Sequence, residues 1–186
     1  MGVPVATVLF DLNGTLLDPG SAGPGIQAAV RLAIVHGMAG EFRPLGDLIG
    51  AVGGEVPERM PAFPDVPPGL ERLRAAGHRT AVLTNSARAT AEAHLPGAGV
   101  RDLLDAVIGT DEIGVHKPGR AAYLGALARL GAEPADAWMV AAHDWDVVGA
   151  HLAGLRTAYL DRGGPRPVTI RVDREVAALP DLVLDL

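Results

Sequence analysis

The stretch Val5-Ala6-Thr7-Val8-Leu9-Phe10-Asp11-Leu12-Asn13-Gly14-Thr15 decides the fold. Val5–Phe10 is a short apolar run rich in β-branched residues, the pattern of a strand buried on both faces. It stops in a polar turn, where Gly14 lets the backbone fold under Asp11. A carboxylate placed directly after a buried strand is held rigidly at the edge of a sheet. Asp, Asn and Gly are also ordinary turn formers, so this turn alone is equally compatible with a plain strand end.

Working outward, the same strand-then-polar arrangement recurs at Thr80–Thr84 and Trp138–Ala141. Ala106–Ile108, Thr157–Leu160 and Leu182–Leu184 read as further strands. Helices are expected between them. Pro67–Ala76 has Pro in its first turn and Gly77 as its stop. Arg88–Leu95 ends at Pro96, Pro118–Leu130 at Gly131, and Asp144–Ala153 at Gly154. Strands alternating with helices predict an α/β fold, a parallel sheet covered on both faces in three layers. Ligands of such sheets lie beyond the carboxyl ends of the strands, so the polar residues after strands one, two and four are expected to meet.

One segment breaks the alternation. Residues 19–61 hold no strand, one clear helix at Gln27–Gly37 and a weaker one near Leu45–Val52. The expected organisation is an α/β core of residues 1–18 and 62–186 with a small helical cap at 19–61 lying over the crevice.

Composition narrows the function classes. The 186 residues suit one domain with a small insert, and hydrophobic residues at 48% supply ample core material. A net charge of −6 argues against a nucleic-acid partner but leaves room for a small anionic substrate held by a few local groups. The chain has no cysteine, which excludes disulfides and thiolate chemistry. The start, Met1-Gly-Val-Pro, lacks a signal-peptide pattern, and no apolar run approaches a membrane span. The expectation is a cytoplasmic protein with no membrane partner.

The motifs acquire specificity in combination. An apolar strand leads to Asp11-x-x-Gly14-Thr15, a second strand closes in Thr84-Asn85, Lys117-Pro118 opens a helix, and Asp146 follows the fourth strand. In this order they resemble the haloacid-dehalogenase superfamily of hydrolases. The resemblance covers nearly all the chain outside the cap and implies a Rossmann-like core. It implies that Asp11 attacks substrate covalently, that Lys117 keeps it ionised, and that Asp146 sits beside Lys117. Thr84 and Asn85 would hold the substrate or its leaving group.

Departures from the phosphatases of that superfamily are informative. Their second Asp, two residues after the nucleophile, is Asn13 here, and an amide cannot protonate a departing alcohol. Their acidic Mg²⁺ ligand, four positions before Asp146, is Ala142 here. Halide leaves without protonation, and displacement at carbon needs no metal. The text Gly114-Val115-His116-Lys117-Pro118 and Ala141-Ala142-His143-Asp144-Trp145-Asp146 is similar to the type II 2-haloacid dehalogenases. That resemblance implies a metal-independent hydrolase without a cofactor.

It also implies a halide-receiving Arg from the cap, with Arg43 the first choice and Arg31 the second; an exposed surface Arg is the plainer reading of both. Asn13 stands where those dehalogenases have Tyr and would face the substrate. His143 would activate the hydrolytic water, or merely satisfy a helix start. Trp145 is expected to pack against the core. Alternatives are a Mg²⁺-dependent phosphatase of the same superfamily, using Asp11, the residue-13 carbonyl and Asp144 or Asp146, and a catalytically silent binding protein that keeps the fold. A homodimer paired through the short cap is a further expectation.

Overall fold

In a computed structural model, which describes residues 5–184, the run before Asp11 forms β1 (Thr7–Phe10) at the centre of a six-stranded sheet. The strand starts at Thr7, the first residue paired with both neighbouring strands, and Val5 before it is exposed. β2 (Arg79–Thr84) and β4 (Ala137–Ala141) flank it, with β3 (Ala106–Gly109), β5 (Arg156–Leu160) and β6 (Arg174–Val176) outside them. The order is β3-β2-β1-β4-β5-β6 and every pair is parallel. Chain direction along the sheet reverses at β1, so the crevice opens beyond its carboxyl end, between β2 and β4. Phe10, the last residue of β1, lies opposite Val82 and Val140, so β2 runs two residues and β4 one residue beyond it.

Two apolar layers cover the sheet, as strand alternation requires. Val8, Phe10 and Trp138 pack with α3 (Val66–Ala75) and α4 (Arg88–His94) on one face. Leu9, Leu83 and Met139 pack with α5 (Arg120–Leu130) and α6 (Asp144–Ala153) on the other. Helix α5 begins at Arg120 rather than Pro118 because the preceding residues form a turn, with Gly119 N–H donating to the His116 carbonyl at 2.8 Å.

The expected sixth strand at Leu182–Leu184 is corrected. The sixth strand is β6, and Leu182 and Leu184 are core residues packed near α3 without a ladder. An edge strand pairs on one side only, so Arg174-Glu175-Val176 needs no apolar run, whereas Leu182 and Leu184 signal burial rather than pairing.

The inserted segment carries α1 (Gly23–Met38) and α2 (Leu45–Ala51), joined by their own apolar cluster of Ile26, Ala29, Val30, Ala33, Leu45, Leu48 and Ile49. Its two stems are zipped together. Leu17 bridges Ala62, Asp18 N–H donates to the Pro61 carbonyl at 2.8 Å, and Phe63 N–H donates to the Leu16 carbonyl at 3.0 Å. Two histidines of the core fasten it: His116 Nε2 lies 2.7 Å from the Arg43 carbonyl and His94 Nε2 lies 2.8 Å from the Pro57 carbonyl. Among the described residues no helix is long and apolar enough to cross a membrane.

Candidate active site

Asp11 leaves β1 with its backbone N–H still bonded to the Val140 carbonyl at 3.1 Å, so its carboxyl group is fixed at the crevice. Lys117 Nζ donates to Oδ1 at 2.9 Å, and the Thr15 hydroxyl donates to Oδ2 at 2.7 Å. Thr15 is oriented in turn by Ala142 N–H, 3.0 Å from its Oγ1. Burial by itself would raise the Asp11 pKa. The charge of Lys117, then His143, and the hydrogen bonds from Lys117 and Thr15 outweigh it and hold the group below the ordinary carboxylate range.

Lys117 is completely buried between two carboxylates, with Asp146 Oδ2 only 2.6 Å from Nζ. Burial would lower its pKa, but Asp11 and Asp146 together keep it raised. Asp146, in the first turn of α6, is raised by burial and by the Asp11 charge in spite of Lys117. Its Oδ1 accepts from the Tyr123 hydroxyl at 2.6 Å. α6 reaches that hydroxyl because residue 149 is glycine: a Cβ there would lie 2.7 Å from the Tyr123 oxygen and 2.5 Å from Pro118 Cβ.

A small cavity of about 20 Å³ opens on Asp11, walled by Ile26, Val30 and Leu45 of the inserted helices and by polar Asn13, Gln27 and Ser86. Thr84 and Asn85 also line it, but their side chains are engaged elsewhere. Thr84 Oγ1 accepts from Ser86 N–H at 3.1 Å, and the Asn85 amide grips the backbone of Lys117, accepting from its N–H at 2.8 Å and donating to its carbonyl at 3.1 Å. Asn85 therefore positions the lysine. Asn13 donates through Nδ2 to Ser86 Oγ at 3.1 Å, while its Oδ1 is buried without a partner.

Arg43 does not enter this cavity, which corrects the expectation of a halide-receiving arginine. Its Nε is paired with Glu41 at 2.7 Å and its side chain is 53% exposed. Arg31 is exposed on α1, and the cavity wall contains no arginine. Trp145 also departs from expectation: it packs against the cluster of the inserted helices and lines the cavity rather than joining the core.

His143 stands beside Asp11, but as a donor. Its Nε2 is 2.9 Å from the Asn13 carbonyl and 3.5 Å from Asp11 Oδ2, both acceptors, so that nitrogen carries the hydrogen. Water activation through Nε2 would first require it to release Asn13. The Mg²⁺ alternative meets the same obstacle. The Asn13 carbonyl is taken, Asp144 Oδ1 accepts from Trp145 N–H at 2.8 Å, and Asp146 is spent on Lys117 and Tyr123. Among the described residues no group of three His, Cys, Asp or Glu is placed to hold a metal, so the donor set does not fit the cation.

Sequence reasoning gave no role to Tyr123, Ser86 and Gln27, and took Thr15 only as part of the turn motif. Tyr123 was detectable in principle, since a phenol buried in a helix must find a partner for its hydroxyl.

The chain matches the model of the haloacid dehalogenase-like hydrolases over residues 42–154. It is 31% identical to (S)-2-haloacid dehalogenase 4A of Burkholderia cepacia over 110 residues, 59% of this chain and 48% of that protein. It is 27% identical to pyrophosphatase PpaX of Bacillus velezensis over 180 residues, 83% of this chain and 82% of that protein. The chain spans about half the length of the 2-haloacid dehalogenases it matches. A dehalogenase solved with an intermediate superposes with a TM-score of 0.84 at 21% identity, covering 96% of each chain. The L-2-haloacid dehalogenase of Xanthobacter autotrophicus gives 0.77 at 24% identity, covering 95% of this chain and 96% of that one. The structural likenesses establish the fold, and the matched family model establishes kinship: this chain belongs to the haloacid dehalogenase-like hydrolases.

Proposed function

We propose that this hydrolase works through a covalent intermediate on Asp11 and displaces halide from a short 2-haloacid without a metal. The observation that carries this reading is an ionised Asp11, braced by Lys117 and Thr15, opening on a small cavity whose residue 13 is an amide and not an acid. A carboxylate oxygen of Asp11 attacks C2 of the substrate, and the carbon–halogen bond breaks with its electron pair leaving on the halide. Water then adds to Cγ of the ester, the C2 oxygen departs as the product hydroxyl, and the proton left on Asp11 is shed because its pKa is lowered. Asn13, Ser86 and Gln27 are the polar groups available to the substrate carboxylate, opposite an apolar wall.

Free chloride measured after incubation with 2-chloropropionate and EDTA tests the reading, together with mass spectrometry of an Asp11 ester. No release from any of several 2-haloacids would remove it. The match to pyrophosphatase PpaX over 83% of the chain favours hydrolysis at phosphorus as the second reading. It requires that p-nitrophenyl phosphate be turned over only when Mg²⁺ is present.

A further inference from the structure

His143 stands where a cation would. Its Nε2 lies between the Asn13 carbonyl, at 2.9 Å, and Asp11 Oδ2, at 3.5 Å. A Mg²⁺ ion bridging those two oxygens would need to approach each to about 2.1 Å, into space the imidazole already fills. The ring is held from several sides. It stacks on Trp145 with centroids 5.4 Å apart and planes within 7°. Gly14 completes the seat: a Cβ there would lie 3.1 Å from Cε1 and 3.2 Å from Nε2, so glycine is what lets the ring come so close. Position 142 offers no third oxygen ligand, being alanine, and Asp144 turns Oδ1 to the Trp145 N–H at 2.8 Å.

We propose that the His143 side chain is a built-in replacement for a divalent cation, filling the corner between Asp11 and the residue-13 carbonyl and closing it to metal. The N–H takes over two tasks of the absent ion. It ties down the carbonyl of the turn and turns a positive edge toward the nucleophile. Metal is refused by occupancy as well as by the loss of an acidic ligand.

Mn²⁺ binding to the full chain, followed by electron paramagnetic resonance and calorimetry, is the test. It uses no substrate, so its outcome is separate from that of the dehalogenation assay. Wild type and Ala142→Asp are expected to bind weakly and alike, because the ring still fills the corner. His143→Ala/Ala142→Asp should bind ~100-fold more tightly, and adding Asp11→Asn should abolish the gain. Equal binding by Ala142→Asp and the double variant would overturn the proposal, as would a folded double variant no tighter than wild type. Should an acid at buried position 142 prevent folding, Ala142→Asn and His143→Ala/Ala142→Asn, which supply a neutral oxygen ligand, decide by the same comparison. Mn²⁺ quenching of tryptophan fluorescence in that double variant but not in Ala142→Asn supports the proposal, and equal quenching defeats it.

Discussion

The hydroxyl of Tyr123 gives its hydrogen to Oδ1 of Asp146 at 2.6 Å, leaving Oδ2 to Lys117. Neither carboxylate oxygen is then free, in a residue with no exposed surface. Tyr123→Phe keeps the packing and removes the donor. Leaving a buried charged acceptor short of one bond costs about 1–3 kcal/mol. Urea unfolding should show a lower midpoint at unchanged slope; a variant as stable as wild type would mean the bond contributes nothing.

Lys117→Met has a larger effect. It leaves two buried carboxylates facing each other without their shared cation, a loss of about 3–5 kcal/mol. The burial that opposes ionisation of Asp11 is then no longer offset by its largest counterweight, so the Asp11 pKa rises. Thermal melts should report the destabilisation. Alkylation of Asp11 by a 2-haloacid, followed against pH, should show its acid limb moved upward.

The same cluster sets a pH signature on the alkaline side. Lys117 is raised from an ordinary value of 10.5 and Tyr123 well above 10.0, so both hold their protons longer in the folded chain than in the unfolded one. The stability they contribute is complete below those ordinary values and is lost as pH rises through the folded ones. On the acid side the carboxylates oppose each other. The contribution of Asp11, lowered from 3.8, is lost as pH falls, whereas Asp146, raised from 3.8, favours the fold as it takes up its proton. Unfolding free energy measured to pH 11.5 should fall steadily above about pH 10, and more steeply than in Tyr123→Phe.

His94 joins α4 to the returning stem of the inserted segment. Its ring nitrogens lie 2.8 Å from the carbonyls of Thr90 and Pro57. His94→Ala removes the tie to Pro57 and should loosen residues 52–61 while leaving the sheet intact. Hydrogen exchange should rise locally, by an opening free energy lower by about 1 kcal/mol. Uniform acceleration across β1 and β4 instead would show that the tie belongs to the global core.

Much of this site was legible because buried parallel strands end abruptly. Val8-Leu9-Phe10, Ala81-Val82-Leu83 and Met139-Val140-Ala141 are apolar enough to announce themselves, and Asp11, Asn85 and Asp146 follow from where each run stops. Contacts between helices were harder. Tyr123 and Leu127 look alike in a helical pattern, yet only one reaches across to a carboxylate. The inserted segment was hardest. Nothing in a helix–loop–helix sequence says which way Arg43 points, and the nearer acid Glu41 took it. β6 was missed for a related reason: an exposed edge strand has no hydrophobic signature to read.

His116 supports two neighbours at once. Its ring holds the Arg43 carbonyl, and its own backbone runs directly into Lys117. A shift of the helical pair away from the sheet would therefore be felt at the peptide that carries Lys117, whose ammonium lies 2.9 Å from Asp11.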